Sequence, residues 1–471
     1  MGTLLIILAV IIFMYMAYKG YSIILFAPIA ALIAALGSGY GLLPVYSELY
    51  MAKAAEYLKV YFPVFLLGAV FAKMMEETAL AASIASAIIR FAGKKNAVLA
   101  AIIGCGILSY GGLSVFVVFF VMYPFAAVLF REAGVPKRLL PATIWVGSFT
   151  FAMAALPGSP QIQNILPTAY LGTTTWAAPT IGLFGALIYF IFGWSWIQYR
   201  FKKLNFIGEY YGEGHLNEPA PQHNEHLPHC SLSLVPIALV LLVNLYLSNP
   251  FDWSWAYHWD ENSLLAIQGF HLGMINSSVE KVRSIWSLLL ALSSGIICTA
   301  FIGIRQLKHT GLLKPLNSGT LASITAALNI ASGYAFGSVV TNMPAFQSVK
   351  TSLLSFTLGN SPLLSAIVTT DIMVAFSGGA SAGITLALDT FGKAWLQMAQ
   401  TAGIPADVLH RIICIASAGP DSVPHAGSMV TILMISGLTH RESYYDLFIL
   451  LLINTSVAYI CMLFYQLTGL V

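Results

Sequence analysis

The sequence has 471 residues, of which 58% are hydrophobic and only 9% are charged. A soluble domain has roughly 25% charged residues, so this composition excludes a water-soluble globular fold, and the long apolar runs predict membrane-spanning helices rather than a barrel. The net charge of +3 is too small for a nucleic-acid-binding protein, and the five widely separated cysteines exclude a disulfide framework.

Ten apolar segments are long enough to span a membrane. The first lacks the basic region and the small-residue cleavage site of a signal peptide, so we expect it to stay in the protein as an additional span. The predicted spans are residues 2–18, 21–43, 58–75, 139–171, 177–197, 232–247, 285–304, 321–343, 406–438 and 445–467. The shorter segment 79–92 is predicted to be an amphipathic helix at the membrane surface.

Two further apolar segments, residues 97–130 and 362–398, are interrupted by polar, glycine-rich stretches at residues 109–114 and 377–381. Each arm has about 12–16 residues, fewer than the ~20 that a spanning helix needs. Short arms around a polar tip are typical of a re-entrant helical hairpin, whose tip survives at membrane depth only where it lines a cavity or is buried in protein. The alternative is one long, kinked helix at each place.

Both predicted hairpins are followed by the same series of motifs. An Ala-Gly-hydrophobic-Pro turn comes next, at residues 133–136 and again at 402–405. A span broken by proline, glycine and serine then follows, at residues 155–160 and 418–424. This recurrence predicts an internal duplication, as in transporters built from repeats.

Basic residues set the predicted orientation of the repeats. Those around the first hairpin, including Arg131 and Lys137, place its base in the cytoplasm by the positive-inside rule. About twice as many lysines and arginines then lie inside as outside, with Arg411 counted among the external ones. The second hairpin opens outward on this scheme, so the repeats are inverted and both termini lie outside.

We therefore expect an all-α polytopic membrane protein with inverted repeats, about ten spans, two re-entrant hairpins and two broken helices. The expected organisation is an additional span at residues 1–20, a first repeat at 21–199, a second repeat at 285–471, and a linker at 200–284 made of a cytoplasmic loop, a span and an external loop.

Residues 68–77, followed by Ile84 and Ala85, resemble the start of the first repeat in the gluconate permease (GntP) family. Further motifs of that family follow in order at residues 135–136, 157–160, 403–405 and 421–425, and the resemblance covers residues 58–200 and 318–470. The resemblance implies the ion transporter superfamily, with a homodimer in which a scaffold holds a moving, elevator-like transport domain. It also implies proton-coupled uptake of gluconate or related hydroxy-monocarboxylates across the bacterial inner membrane.

The chain departs from gluconate-type members at two positions. Those members carry an acidic residue near the first hairpin tip and an arginine in the second hairpin, where this chain has Gly111 and Val374. The departures favour a smaller, less hydroxylated acid such as 3-hydroxybutyrate.

The hairpin tips and the broken spans together form the candidate substrate site. An anion inside a membrane needs positive charge, and the four interrupted motifs hold no lysine or arginine, so we expect helix N-termini to supply it. The predicted substrate-binding residues are Ser109, Gly111, Gly112, Ser114, Gly158, Ser159, Gln161, Gln163, Asn164, Ser377, Gly378, Gly379, Ser381 and Ser422. The alternative for Gln161, Gln163 and Asn164 is that they only cap a helix.

Ionisable residues within spans are candidates for ion coupling. Asp421 and His425 lie in the second broken span, and Asp371 lies in the first arm of the second hairpin. The alternative is an Asp421–His425 pair that only shapes the loop. Sodium could replace the proton, since hairpin tips also supply the oxygens that sodium needs.

No cofactor or metal is expected. The histidine-rich loop at residues 215–230, with His223, His226, His229 and Cys230, lacks the spacing of a structural zinc site. An anion channel is disfavoured because the repeats are inverted within one chain. An enzyme would need a triad of Asp421, Ser422 and His425, which neighbours on a proline-flanked loop seldom form.

Overall fold

The computed structural model describes residues 2–93, 96–218, 227–248, 251–253, 282–357 and 361–471. Within these residues the fold is all helical, and six helices are long and apolar enough to cross a membrane. The helices are α1 (Gly2–Tyr18), α2 (Ile23–Ala35), α3 (Leu42–Glu77), α4 (Leu80–Ala92), α5 (Ala97–Tyr110), α6 (Val115–Ala133), α7 (Leu140–Ser148), α8 (Ile162–Leu171), α9 (Pro179–Phe206), α10 (Cys230–Ser248), α11 (Arg283–Ile302), α12 (Ile304–Thr310), α13 (Leu313–Asn342), α14 (Gln347–Leu354), α15 (Leu363–Ser377), α16 (Ala380–Thr401), α17 (Ala406–Ser417), α18 (Gly427–Ser436) and α19 (His440–Thr468). The six long apolar helices are α3, α9, α10, α11, α13 and α19.

The helices pack in two groups. In the first group, α1, α2, α3, α10, α11 and α13 pack mainly on one another. In the second group, α5 to α9 pack with α15 to α19, and α4 contacts both groups. Helix α13 meets α16 where the groups join, so the second hairpin lies at their interface.

Small residues allow the close packing of the first group. Ala27, Ala30, Ala31 and Ala34 recur at helical spacing along α2 and are buried. This face lies against α1 and α13. Without a hydrophobic driving force in lipid, such small-residue faces stabilise helix pairs through close van der Waals contact.

Both interrupted segments are pairs of helices that pack on each other, α5 with α6 and α15 with α16. Gly112 (φ 95°) and Gly378 (φ 70°) turn the chain in a left-handed conformation that glycine adopts without strain. The interruptions are therefore confirmed, whereas re-entry into a membrane stays a prediction.

The second arms of the hairpins are longer than the expected 12–16 residues. Helix α6 has 19 residues and α16 has 22. Helix α16 begins at Ala380, inside the predicted polar stretch 377–381, so the second tip is reduced to Gly378 and Gly379. The reason is tertiary, because the Asp421 carboxylate accepts a hydrogen bond from the Ala380 N–H and caps the helix there.

Both predicted broken spans are broken. Helices α7 and α8 are separated by a π-helical turn, Phe151–Ala155, and by residues 156–161, which we name the first break. Helices α17 and α18 are separated by residues 418–426, the second break, which contains a 3-10 turn, Pro420–Ser422. Prolines in both breaks lack the N–H that a continuing helix would need.

The single span predicted at residues 21–43 is wrong. Helix α2 has only 13 residues and ends at Ala35. Gly37, Gly39 (φ 78°) and Gly41 follow, and their freedom lets the chain turn before α3 begins. Helix α3 then continues for 36 residues, through and beyond the predicted span 58–75.

The segment predicted at the membrane surface is α4, which packs against α5 and α10. Its location at a surface stays a prediction. In the predicted cytoplasmic loop, α9 extends to Phe206, so the loop begins later than residue 200. His223 and His226 lie outside the described residues.

Candidate functional site

A cavity of about 400 Å³ lies where the second hairpin tip, the second break and α13 meet. Six of the predicted site residues line this central cavity: Gln163, Ser377, Gly378, Gly379, Ser381 and Asp421. The rest of its wall comes from residues 17–24 around the α1–α2 turn, from α13 between Thr325 and Gly333, and from α18 between Gly427 and Thr431. Val115 and Phe149 complete the wall from the first repeat.

The N-terminus of α16 forms one side of the central cavity. Asp421, which is only 4% exposed, accepts a hydrogen bond from the Ala380 N–H at 2.8 Å. The N–H groups of Ser381 and Ala382 also belong to the first turn, where a helix has no internal acceptor for them. The helix dipole adds partial positive charge at this end, so an ionised Asp421 is stabilised there.

The opposing polar groups come from the first repeat and from α13. Gln163 is 7% exposed, and its Oε1 has no hydrogen-bond partner in the part of the chain that the structure describes. Asn329 of α13 and Ser428 of α18 also line the cavity. Sequence reasoning missed these two residues, although an asparagine within an apolar span is a signal that could have found Asn329.

The first hairpin tip is filled and does not line the cavity. Gln161 Nε2 donates to the carbonyls of Ser109 (2.7 Å) and Leu113 (2.8 Å), and Ser109 Oγ donates to the Ser148 carbonyl. A Cβ at Gly111 would lie 2.7 Å from the Ile237 side chain. Ser109, Gly111 and Gln161 therefore lie outside the cavity wall, because the tip and the break satisfy each other, and their binding of substrate stays a prediction.

Gly112 and Ser114 also stay outside the cavity wall. A Cβ at Gly112 would lie 3.2 Å from Pro160. Ser114 precedes α6, and the cavity is reached only by the following residue, Val115. Neither Gly112 nor Ser114 is placed to bind a ligand in this cavity.

The first break is also occupied by the protein itself. A Cβ at Gly158 would lie 2.2 Å from the Trp176 ring, and Ser159 Oγ donates to the Ala152 carbonyl at 2.6 Å. Asn164 Nδ2 donates to the carbonyls of Ser159 and Thr175, both at 2.8 Å. Gln161 and Asn164 thus satisfy carbonyls of the first tip and the first break, which broken helices leave without internal partners. The alternative that they cap α8 is not seen, because the Gln161 side chain makes no cap hydrogen bond at its N-terminus.

Arg411 is a buried cation that sequence reasoning placed outside the membrane. It lies on α17 within the broken span and is 0% exposed. Its Nη1 donates to Asn164 Oδ1 at 2.8 Å, and its Nε and Nη2 donate to the Ala177 carbonyl at 3.0 and 2.7 Å. The external assignment of Arg411 is wrong, because the residue lies inside the helix that follows the turn at residues 402–405 and is fully buried. The four interrupted motifs themselves hold no lysine or arginine, as predicted.

The proposed coupling residues do not form one cluster. His425 Nε2 is 2.8 Å from the Ala375 carbonyl, and Ser422 Oγ donates to the Gly419 carbonyl at 2.9 Å. Neither side chain therefore engages Asp421, so both the Asp421–His425 pair and the triad geometry are contradicted. Ser422 and His425 are also absent from the cavity wall, where only Asp421 of the three lies.

His425 and Asp371 have structural partners instead. The His425 ring lies behind the second tip, where a Cβ at Gly378 would be 3.5 Å from it. Asp371 Oδ2 accepts a hydrogen bond from the Tyr459 hydroxyl at 3.4 Å, away from the cavity wall.

Known proteins resemble this chain at two levels. No family model matches the sequence. The uncharacterized transporter YxjC of Bacillus subtilis (strain 168) is 40% identical over an alignment of 481 residues that covers 100% of both chains. In sequence, this chain is thus similar to a transporter from end to end.

Two solved structures share the fold. The Alcanivorax borkumensis YdaH transporter, which has an unusual topology, matches 88% of this chain and 85% of its own with a TM-score of 0.55. Neisseria gonorrhoeae MtrF, from a class of antimetabolite efflux pumps, matches 90% and 84% with a TM-score of 0.50. Both are 15% identical to this chain, so the likeness concerns the fold alone.

Proposed function

The chain belongs to the family of the Bacillus subtilis transporter YxjC, and on this premise we propose that it is a secondary active transporter that carries a small hydroxy-monocarboxylate together with a proton. It is a multi-pass bacterial membrane transporter with the fold of YdaH. The observation that carries the proposal is the central cavity, where a helix N-terminus, Gln163 and Asp421 converge.

The cavity suits a small anion. Its volume of about 400 Å³ lies in the range of small-molecule sites. A substrate carboxylate would accept hydrogen bonds from the free N–H groups of α16 and from Ser381, while Gln163 and Asn329 would bind a hydroxyl.

The two departures from gluconate permeases support a less hydroxylated acid. Val374 is fully buried, and a Cβ at Gly383 would lie 2.4 Å from its Cα. Gly111 packs on Ile237. Both positions are therefore packing positions outside the cavity wall, and that wall combines alanine, glycine, valine and isoleucine with short serine and threonine side chains. A 3-hydroxybutyrate-like acid fits this wall better than gluconate.

Asp421 couples the anion to the proton. An ionised Asp421 would repel a substrate carboxylate across a cavity of low dielectric constant, whereas a protonated carboxyl can donate a hydrogen bond to it. Substrate binding and protonation therefore favour each other, and this linkage is reciprocal. Sodium bound to the same carboxylate is the alternative.

Closure at the opposite end supports alternating access. Lys53 of α3 forms an ion pair with Asp389 of α16 at 3.2 Å and joins the two groups of helices. The rings of Tyr57, Tyr61 and Tyr334 pack beneath it, with centroids 5.0 and 5.6 Å apart. In the predicted orientation this pair closes the outside, and the cavity wall at residues 17–24 faces the cytoplasm.

The repeat scheme and the dimer are part of this proposal. The order of hairpin and broken span recurs in both halves, which supports the inverted repeats at residues 21–199 and 285–471. The second group of helices would move against the first as an elevator, within a homodimer like that of the gluconate permease family.

Uptake into proteoliposomes that hold no substrate inside, driven by an imposed pH gradient, tests the proposal. Labelled 3-hydroxybutyrate, gluconate and succinate would be compared at several pH values, with and without sodium. We expect saturable uptake of 3-hydroxybutyrate that an acidic exterior drives and a protonophore abolishes. Uptake that depends on sodium would identify sodium rather than the proton as the coupled ion. A passive anion conductance would contradict the proposal that the protein is a carrier.

A further inference from the structure

We propose that Arg411 is the fixed positive charge that makes the central cavity selective for an anion. The same charge prevents a proton from crossing the membrane without that anion. The inference deepens the proposed function and rests on it. Arg411 acts through the first turn of α8 and through its charge, so it is a positioning residue that does not touch the substrate.

The partners of Arg411 are all neutral. Its Nε, Nη1 and Nη2 donate to Asn164 Oδ1 and to the carbonyls of Thr175 and Ala177, at 2.7 to 3.1 Å. No carboxylate contacts it among the described residues. A guanidinium cannot lose its proton in a protein, so a full positive charge remains in the interior.

These hydrogen bonds connect Arg411 to a residue that directly adjoins the wall of the cavity. Asn164, which holds Arg411 Nη1, directly follows Gln163, which lines the cavity. His410 Nε2 lies 3.3 Å from Asn164 Oδ1, and Cys414 Sγ, one turn later on α17, donates to the Gln163 carbonyl at 3.3 Å. Three residues of α17 thus grip the first turn of α8, where the helix dipole adds positive charge of its own.

Hydrogen bonding alone does not explain a cation at this position. A buried charge without an ionic partner costs free energy, and a neutral donor would satisfy the same carbonyls without that cost. An anion in the neighbouring cavity offsets the cost, so the missing counter-charge is the substrate or an ionised Asp421.

Other ionisable groups leave this balance unchanged. The titratable neighbours of Arg411 are Asp407, His410 and Cys414 on its own helix and Tyr110 on the first hairpin. Asp407 lies in the half-exposed first turn of α17, where solvent screens its charge. His425 lies next to Gly378 at the second tip, and Asp371 lies outside the cavity wall. Arg200 and Asp446 pair with each other at 2.6 Å and cancel.

The site has four possible states, which differ in the protonation of Asp421 and in the presence of the anion, and Arg411 sets the net charge of each. With Arg411 present, the empty site with ionised Asp421 is neutral, and so is the loaded site with an anion and protonated Asp421. The two half-loaded states, proton alone or anion alone, carry one net charge and are costly to move through a membrane. Without Arg411, the state that holds only the proton becomes the neutral one, so protons leak.

Reconstituted variants test this charge balance. Arg411→Gln should bind 3-hydroxybutyrate roughly tenfold more weakly, keep its affinity for the neutral amide 3-hydroxybutyramide, and let protons cross without substrate. Arg411→Lys should restore the preference for the acid over the amide. Lys393→Gln, which removes an exposed cation from α16, is the control and should behave as the unmodified protein.

A second pair of variants leaves Arg411 in place. Cys414→Asp adds a carboxylate three residues after Arg411 and should reproduce the leak and the lost acid preference, whereas Cys414→Asn, of the same shape, should not. Equal behaviour of these two variants, or a parallel loss of acid and amide binding in Arg411→Gln, would overturn the inference. If the unmodified protein carries no monocarboxylate at all, the proposed function fails instead.

Discussion

In the first hairpin, the Gln161 amide donates two hydrogen bonds to the tip, and Gly111 is pressed against Ile237. In the second hairpin, the Asp421 carboxylate accepts one hydrogen bond from Ala380, and the tip borders a cavity of about 400 Å³. The two tips have similar sequences and stand after similar helices. The comparison shows that the broken span sets the surroundings of each tip: a neutral donor closes the first tip, whereas the second tip, with an ionisable acceptor, borders the cavity.

The largest expected effect comes from replacing Asp421, the ionisable residue that contacts the second tip, with a neutral residue of the same shape. Asp421→Asn keeps the shape of the side chain but removes the group that changes charge. We expect proton-driven accumulation of 3-hydroxybutyrate to fall by about a hundredfold while exchange of internal for external substrate persists, because accumulation needs the linkage between proton and anion. Parallel assays of gradient-driven uptake and exchange measure it, and an equal loss of both in a folded variant would contradict a coupling role.

The next effect comes from opening the first tip. Gln161→Ala leaves the carbonyls of Ser109 and Leu113 buried without donors, and we expect the free energy of unfolding to fall by about 2–3 kcal/mol. Thermal unfolding of the purified protein in detergent measures this loss. Substrate affinity of the folded fraction should be unchanged, and a weaker affinity at unchanged stability would instead place Gln161 in the substrate site.

A smaller effect separates two serines at equivalent places. Ser381 lines the cavity, whereas Ser114 does not, so Ser381→Ala should weaken binding of 3-hydroxybutyrate by about fivefold, the worth of one hydrogen bond. Ser114→Ala is the matched control and should bind as tightly as the unmodified protein. Ligand-induced thermal shifts measure both, and a larger effect at Ser114 would move the site to the first tip.

The smallest effect concerns the ion pair that joins the two groups of helices on the predicted outer side. Lys53 and Asp389 side chains are each 24% exposed, so the pair contributes at most about 1 kcal/mol. In a protein that carries Thr385→Cys, Lys53→Gln should raise labelling of the new cysteine by a thiol reagent added from outside, by up to about fivefold. Exchanging the charges, Lys53→Asp with Asp389→Lys, should restore the original level of labelling. No change in labelling would argue against closure at this end.

Several features were predictable because they depend on local sequence. The helical class follows from composition, and the positions of both breaks follow from Pro157, Pro160, Pro420 and Pro424, which cannot continue a helix. The hairpin tips follow from Gly112 and Gly378, whose conformation requires glycine. Each of these signals acts within a few residues of the feature it predicts.

The candidate site was only partly predictable, since its members belong to distant helices. Gln161 and Gln163 look alike in the sequence, yet one closes the first tip and the other lines the cavity. Asn329 and the residues around Gly20 come from helices that no motif connects to the hairpins. Arg411 looked external because of its place beside a turn, and only the packing of α17 against α8 buries it.

Composition and residue order are enough to place this chain in a membrane, to locate the interruptions of its helices, and to identify the polar residues that need partners there. The reason is that backbone groups in hydrocarbon must be hydrogen-bonded, so a break in a helix or a buried polar group needs particular residues, which can be recognised in the sequence. Tertiary structure alone decided which partner each group found. Whether a polar side chain satisfies a neighbouring carbonyl or remains free for a ligand depends on what other helices bring within about 3 Å, and residue order does not encode that distance directly.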